Sequence, residues 1–415
     1  MRVRAAAAGL AAVCAAAAAW HGPAPAVAAP RCADPGQEIA EVPWHQRMLA
    51  PERIWPFARG NQLVVAVLDT GVDARHPQLG DRVLAGFDAV RNSGTGNTDC
   101  LGTGTQVAGV IAAQQTRGIG FVGMAPNARI LPVKVLPDEG ATDRIAQPQI
   151  LARGITAAVD RGARVIVCSV VTYTDSPALE AAVAGAVQKG AVIVAAVGDE
   201  GNRDDGGPTP YPAAYDGVVG VGAIGQQGVR WPNSQIGGYV DVVAPGADVV
   251  TLQRASGMTT VRGGTGVAAG FVGAAAALTR VRRPNLDPAA VRYVLQATAI
   301  GGTNPNEYGQ GVINPYAAVT DQITAVSPAP LPAAERPSIE ESPTWLRSRN
   351  LALIGAGAAV LVVLIVLAVA VALPRGRRRF WRPAVAASPV DRPEDDEPAP
   401  PALLFDQRTQ GRAPY

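Results

Sequence analysis

The stretch LVVAVLDTGVD, Leu63–Asp73, decides the fold. It begins as a run of apolar and β-branched residues, reaches Asp69, and then offers Gly71 for a turn. A short apolar run without polar alternation is typical of a strand that is buried on both faces. Such a strand needs neighbours of the same kind, and similar runs occupy residues 128–136, 163–170, 191–198, 217–224 and 239–245.

Alanine-rich segments with helical periodicity alternate with these runs. The clearest are TQVAGVIAAQ, QILARGITAAVDRG and SPALEAAVAGAVQKG, the last with Ser176 as its N-cap. Two more helices are expected in VAAGFVGAAAALTRVR and DPAAVRYVLQATA. The alternation predicts an α/β fold, a mainly parallel sheet with helices on both faces. Because catalytic and binding residues gather at the C-terminal ends of strands in such sheets, Asp69 is the first candidate.

Composition limits the partners that this chain can have. Charged residues make up 17% of its 415 residues, and the formal net charge is +2. Since the central region carries no basic stripe, we expect no nucleic-acid partner. No motif calls for a cofactor or a metal ion, and we expect neither.

The N-terminal segment has the pattern of a secretory signal. Two arginines precede an alanine-rich apolar run, and AVA at Ala26–Ala28 offers small residues for cleavage. This predicts a signal peptide over 1–28, with an uncleaved anchor or an N-terminal helix as the alternative. Residues 29–60 then form an extension, and residues 61–323 form the domain itself.

A second long apolar run lies near the C-terminus. Residues 324–350 are rich in Pro, Ser and Glu and are predicted to form a linker. Leu351–Leu373 follows without a charge and is long enough to span a bilayer, although a buried core helix could carry such a run. Five arginines lie just after the run and two just before it. We therefore expect a single-pass type I protein of the cell membrane, with an extracytoplasmic ectodomain and a cytoplasmic tail over 374–415.

Three further segments strengthen the interpretation of Asp69 as a residue of a catalytic site. GTGTQVAGVIAA and GGTGVAAGFVGAAAAL each open a helix, and VAAVGDEGN ends a strand. In order and spacing, the set resembles the DTG, HGTxVAG, AAGNxG and GTSxAAP motifs of the subtilisin-like serine proteases, over roughly residues 61–321. The resemblance implies a subtilisin-like fold. Within this family, the chain resembles the mycosins, because it has a signal peptide, a cysteine-bearing extension, a linker and a single span. That resemblance implies membrane components of a type VII secretion system as partners.

The motifs depart from the family at the positions that carry chemistry. The resemblance puts Asp69 at the position of the acid, Thr103 at the histidine, Gly266 at the serine and Asp199 at the oxyanion asparagine. The family's reaction needs a hydroxyl nucleophile and an imidazole base. Gly266 has no side chain, a threonine cannot act as a base near neutral pH, and a carboxylate repels developing negative charge. We expect the replaced residues to fill space or cap a turn, and Asp69 to be a structural remnant.

No other residue is expected to stand in. Of the three histidines, His21 leaves with the signal peptide, His45 lies in the extension, and His76 lies in a segment of structural type. The hydroxyl residues Thr265 and Ser256 are near the serine position in sequence, but adjacent residues on a helix start point about 100° apart.

Export makes a disulfide expected. Cys32 in the extension and Cys100 beside the second motif are predicted to be bonded, which would tie the extension to the domain. Cys168 lies in a predicted strand and is expected to be an inert core thiol.

The sequence thus predicts a membrane-anchored, non-catalytic pseudoprotease that acts as a structural or docking part of a type VII secretion system. Two alternatives remain open. One is an active subtilisin-type serine endopeptidase that uses other residues, and the other is a non-catalytic extracytoplasmic peptide-binding receptor.

Overall fold

The computed structural model describes residues 32–138, 144–203, 206–321, 323 and 343–378. The predicted signal peptide over 1–28 lies outside these residues, as do residues 324–342 of the predicted linker and 379–415 of the predicted tail. Two compact units divide the chain, one up to Ser327 and one from Pro328 onward.

A nine-stranded sheet forms the centre of the domain. The strands of the described residues are β1 Val64–Asp69, β2 Phe87–Asp88, β3 Arg129–Lys134, β4 Val165–Cys168, β5 Val192–Ala196, β6 Val218–Ile224, β7 Val242–Pro245, β8 Ala247–Leu252, β9 Met258–Gly263, β10 Ile300–Gly301 and β11 Gly311–Val312. Their order in the sheet is β10-β11-β7-β6-β5-β4-β1-β3-β2, and β8 and β9 form a separate antiparallel pair. Neighbours in the large sheet are parallel except β10 and β11.

Helices cover both faces of this sheet. The helices of the first unit are α1 Trp44–Leu49, α2 Thr103–Ala112, α3 Pro148–Asp160, α4 Pro177–Gln188, α5 Thr265–Arg282, α6 Pro288–Ala297, α7 Pro305–Tyr308 and α8 Pro315–Thr320, and the second unit contains α9 Pro343–Arg378. One apolar layer joins α2, α5 and α6 to one face, and a second joins α3 and α4 to the other. The predicted α/β fold is therefore confirmed.

Helix α5 lies very close to its neighbours because of its small residues. Every residue from Thr265 to Thr279 is buried. A Cβ atom on Gly273 would lie 2.3 Å from a methyl group of Val167 in β4, and one on Gly270 would lie 2.6 Å from a methyl group of Val110 in α2. The two glycines thus bring the start of α5 against both the sheet and α2.

The extension is tied to the domain covalently and by burial. Cys32 and Cys100, the pair that the sequence predicted, are joined by a disulfide. Further along, His45 in α1 is buried, and its ring contacts the rings of Phe121 and Phe271. Burial lowers the pKa of His45 to about 4, so the imidazole packs there as a neutral ring.

The C-terminal unit contains helix α9. Residues Arg347–Arg375 within it are long and apolar enough to cross a membrane, judged by length and composition. The predicted span, Leu351–Leu373, lies inside this range. The helix begins earlier than the predicted span because Pro343 suits the first turn of a helix and no breaker follows before the apolar run.

Candidate active site

The residues predicted for the site meet at the C-terminal edge of the sheet. Asp69 ends β1, Thr103 begins α2, Asp199 follows β5, and Gly266 is in the first turn of α5. Strand β1 lies between β3 and β4, where the chain order of the sheet reverses. Such a switch point opens a crevice beyond the strand ends.

Asp69 is fully buried, and its carboxylate accepts hydrogen bonds from several elements. Oδ1 accepts from the Thr103 hydroxyl at 2.5 Å and from the Thr70 backbone N–H at 2.7 Å. Oδ2 accepts from the Ser169 hydroxyl, just after β4, and from Arg144 Nη2 at 2.7 Å. Asp69 therefore has a cation and three further donors as partners.

Arg144 is the partner that the sequence analysis missed. Its Nη2 also donates to the Ser169 carbonyl at 2.8 Å, so one nitrogen joins Asp69 to the end of β4. The side chain is 18% exposed, whereas that of Asp69 is 0% exposed. No motif marks Arg144 in the sequence, and the reason for its place appears only with the burial of Asp69: a buried carboxylate without an imidazole requires another cation.

Gly266 lies where the Ser169 backbone carbonyl and the Arg144 guanidinium leave no room for a side chain. A Cβ atom added to Gly266 would lie 2.5 Å from Arg144 Nη2 and 2.4 Å from the Ser169 carbonyl oxygen. Contacts this short are not tolerated without movement of the neighbours. The guanidinium thus occupies the space beside the start of α5.

Asp199 caps that same helix. Its Oδ1 accepts from the Thr265 backbone N–H at 2.8 Å and from the Thr265 hydroxyl at 2.7 Å. The Thr265 hydroxyl oxygen in turn accepts from the Gly198 backbone N–H at 3.1 Å. A carboxylate at a helix N-terminus is stabilised by the helix dipole. Asp199 is therefore an acceptor directed at α5.

A chain of hydroxyl groups connects Thr103 to a second buried carboxylate. The Thr103 hydroxyl lies 3.0 Å from that of Thr70, which donates to Asp99 at 2.8 Å. Asp99 also accepts from the backbone N–H groups of Gly102 and Thr105, at 2.7 and 2.9 Å, and so holds the start of α2. Burial raises the pKa of Asp99, and the bonds from Thr105 act against that rise.

A cavity of about 280 Å³ lies next to these groups. Its walls include Arg144, Ser169, Asp199 and Glu200, together with apolar Val170 and Val171. The pKa of the Tyr173 hydroxyl at this cavity is raised, first by burial and then by the charges of Glu200 and Asp199. The lining of the cavity therefore contains both apolar and acidic side chains.

The other candidates lie elsewhere or are engaged. His45 Nε2 lies 2.9 Å from the Val250 carbonyl oxygen, and His76 Nε2 lies 3.1 Å from that of Gly257. The carbonyl of Ser256 accepts from the extension, at Gly36. Cys168 is buried, and burial raises the pKa of its thiol to about 12. Among the residues that the structure describes, no group of three or more His, Cys, Asp and Glu is placed to hold a metal ion.

Comparison with known proteins places this geometry in a family. The chain matches the subtilase family, peptidase S8, over residues 60–311. It is 37% identical to the thermophilic serine proteinase of Bacillus sp. (strain AK1), in a match that covers 64% of this chain and 64% of that protein.

Solved structures give the same result. MycP1 from the ESX-1 type VII secretion system matches with a TM-score of 0.63 and 31% identity, over 70% of this chain and 90% of that one. A chain of the periplasmic assembly from the ESX-5 inner membrane complex matches with a TM-score of 0.64 and 30% identity, over 73% and 90%. With a family match that spans the sheet and its crevice, and with mycosins among its structural neighbours, this chain belongs to the subtilase family.

Proposed function

We propose that the chain is a membrane-anchored, mycosin-like pseudoprotease: a subtilase without peptidase activity that serves as a structural or docking component of a type VII secretion system. One observation in particular supports the absence of peptidase activity. The Arg144 guanidinium pairs with Asp69 and, together with the Ser169 carbonyl, fills the space at Gly266 where a serine side chain would stand.

The nucleophile and base of the family's reaction have no counterpart at this centre. Acyl transfer needs a hydroxyl whose proton is taken by a base within hydrogen-bond reach. The hydroxyls of Thr103 and Ser169 donate to Asp69, and that of Thr265 donates to Asp199. A carboxylate is too weak a base to activate an alcohol to a useful extent, and losing either serine or histidine from a subtilisin triad costs on the order of a millionfold in turnover.

The oxyanion position supports the same conclusion. An oxyanion hole places hydrogen-bond donors where negative charge develops. At the position that the family fills with asparagine, Asp199 offers a carboxylate instead, and it is engaged with the start of α5. The group would therefore repel the charge that the reaction has to stabilise.

A fluorophosphonate probe tests the proposal directly, because it labels activated serine nucleophiles. The full chain in detergent micelles should show no labelling and no cleavage of a denatured protein substrate, while thermitase in the same buffer labels and cleaves. Labelling that disappears when Thr265 or Ser169 is replaced by alanine would overturn the proposal.

Rebuilding the triad tests the part played by Arg144. The variant Thr103→His, Asp199→Asn, Gly266→Ser should stay unlabelled, because the new serine collides with the guanidinium and Asp69 already has a cation. Adding Arg144→Ala removes the guanidinium and leaves only the Ser169 carbonyl, 2.4 Å from the new Cβ atom, for the start of α5 to shift away from. Labelling should then be weak, since a misplacement of about 1 Å can cost about 100-fold. Equal labelling with and without Arg144 would contradict its role as the obstacle.

The secretion role is supported by the structural neighbours and by helix α9. MycP1 and the ESX-5 chain belong to type VII secretion systems, and α9 supplies a candidate anchor. Deleting the gene should reduce type VII secretion and destabilise the membrane complex. The full chain should restore both, whereas a chain that ends before α9 should restore neither. Unchanged secretion after deletion would refute the docking role.

One observation favours a second function, that of a peptide-binding receptor. The cavity of about 280 Å³ beside Asp199 is open to a side chain even though the chemistry is gone. Isothermal titration with a mixture of short peptides discriminates the two functions. Saturable binding that is lost on filling the cavity with Val171→Trp would support a receptor, and its absence would leave docking as the function.

A further inference from the structure

A basic hollow lies at the opposite edge of the sheet from Asp69, at the N-terminal ends of the strands. It measures about 550 Å³ and is bordered by the start of β1, the loop before β4 and the C-terminal end of α5. Arg164, just before β4, and Arg280, in the last turn of α5, both line it. The mechanism proposed above uses neither residue.

The two guanidinium groups lie close together. Arg280 Nη1 donates to the Gly190 carbonyl at 3.0 Å, and Arg164 Nη1 lies 3.7 Å from the position that a Cβ atom would take on Gly190. Burial lowers the pKa of Arg280, and the charge of Arg164 lowers it further. Arg164 is exposed and Arg280 is half-buried, and two like charges at one edge create a positive potential that attracts anions. This arrangement therefore favours an added counter-charge.

The domain supplies no direct counter-charge of its own. In the part of the chain that the structure describes, no carboxylate forms an ion pair with Arg164 or Arg280. Asp287 acts on Arg280 through its charge, but its carboxylate caps α6 by accepting from the Ala290 backbone N–H at 2.7 Å. Among the described residues, therefore, neither arginine has a carboxylate in contact, and both guanidinium groups remain able to pair with an added anion.

Side chains, and not backbone amides, are the donors available in the hollow. The backbone N–H groups of Leu63, Gly162 and Arg164 already donate to carbonyl groups within the chain. Many phosphate sites rely on free backbone N–H groups, and those of Leu63, Gly162 and Arg164 are not free to supply one. Leu63, Val64 and Val281 add apolar surface to its wall.

We propose that this hollow binds an acidic segment of a partner protein. Carboxylates of the segment pair with Arg164 and Arg280, because the arginine fork matches a carboxylate in two parallel hydrogen bonds. An apolar side chain of the same segment lies on Leu63 and Val281. The inference goes beyond the proposed function, since it holds whether or not the chain has peptidase activity.

A defined peptide tests the inference. A fluorescein-labelled peptide of alternating glutamate and leucine is titrated into the full chain in detergent micelles and followed by fluorescence anisotropy. Saturable binding that weakens as salt is added is expected, because exposed ion pairs are screened. The same peptide with glutamine in place of glutamate should not bind. Equal binding of the two peptides would overturn the inference.

Variants locate the binding to the hollow. Arg164→Glu with Arg280→Glu should weaken binding by about tenfold or more. Arg262→Glu, which reverses an exposed arginine on β9, should leave it within about twofold. Arg164→Gln keeps the bond from Arg280 to Gly190 intact, so it should fold normally and still weaken binding by about threefold.

Two outcomes would refute the assignment. In the first, Arg164→Gln and the double variant Arg164→Glu, Arg280→Glu bind the peptide as tightly as the control variant Arg262→Glu. The peptide would then bind outside the hollow. In the second, inorganic phosphate displaces the peptide and binds more tightly than it, with a dependence on Arg164 and Arg280, which would make the hollow a phosphate site.

Discussion

Replacing Arg144 by methionine removes the guanidinium but keeps an unbranched side chain that can still fill the space. Asp69 is 0% exposed and Arg144 is 18% exposed, with 2.7 Å between Nη2 and Oδ2. Breaking such a pair from one side leaves a buried carboxylate without its counter-ion, at a cost of about 3–5 kcal/mol. Because Arg144 has some contact with water, we expect the lower end, about 3 kcal/mol less free energy of unfolding.

The opposite change is expected to cost less. Asp69→Asn keeps the shape and one carbonyl acceptor, which can serve the Thr103 hydroxyl (on Oδ1) or the Ser169 hydroxyl (on Oδ2) but not both, and it frees Arg144 to turn toward solvent. We expect a loss of about 1–2 kcal/mol. In the double variant no charge is left stranded, so its loss should fall short of the sum of the single losses by about 2 kcal/mol.

The assay is urea unfolding of the full chain in detergent micelles, followed by tryptophan fluorescence. The matched control is Lys189→Met, which breaks the ion pair with Asp160, a pair whose side chains are 59% and 53% exposed. That change should cost less than about 1 kcal/mol. An Arg144→Met variant as stable as this control would refute the reasoning, as would additive losses in the double variant.

Three further predictions concern the extension and the anchor. Burial holds the pKa of His45 at about 4, below the value of 6.5 in the unfolded chain. The neutral imidazole therefore gives its full contribution to the free energy of unfolding above about pH 6.5, and up to about 3 kcal/mol of it is lost as the pH falls to about 4. His45→Phe should flatten urea-unfolding stability across that window, and an unchanged pH profile would contradict this. Replacing Cys32 and Cys100 by serine opens a link that spans 68 residues and should cost about 4 kcal/mol in urea unfolding; a variant of equal stability would mean that packing alone holds the extension. Protease added to intact spheroplasts should digest the ectodomain and spare the tail, and the reverse pattern would exclude the type I orientation.

The large sheet could be predicted because its strands are buried on both faces. A run such as 191–198 is apolar throughout, and β5 within it is buried at every position. The β8–β9 pair gave no such signal. In β8, exposed Asp248 is followed by buried Val249, and the inner positions of β9 likewise alternate between exposed and half-buried. A two-stranded pair with one face in water lacks the continuous apolar run on which the prediction depended.

Some residues of the candidate site could likewise be predicted from the sequence, and others could not. Asp69, Thr103, Asp199 and Gly266 could be located because each lies at a strand end or a helix start that its motif marks. Arg144 lies 75 positions from Asp69 in the sequence, within a loop that carries no motif. Arg144 lies beside Asp69 because a buried carboxylate requires a cation as a partner. That requirement can be recognised only when the burial of Asp69 is known.

Asp69 shows how a proposed pseudoprotease can keep its acid without its chemistry. The carboxylate joins the end of β1 to the start of α2 through Thr103 and to the end of β4 through Ser169, while Arg144 supplies the positive charge. An imidazole at this place would gain and lose a proton near neutral pH, as general base catalysis requires. A guanidinium does not release its proton in proteins, so Arg144 cannot take the part of a general base. The same carboxylate that would orient a base is thus one half of an ion pair, and under the proposed function a peptidase could be rebuilt only by removing Arg144 as well as by introducing a histidine and a serine.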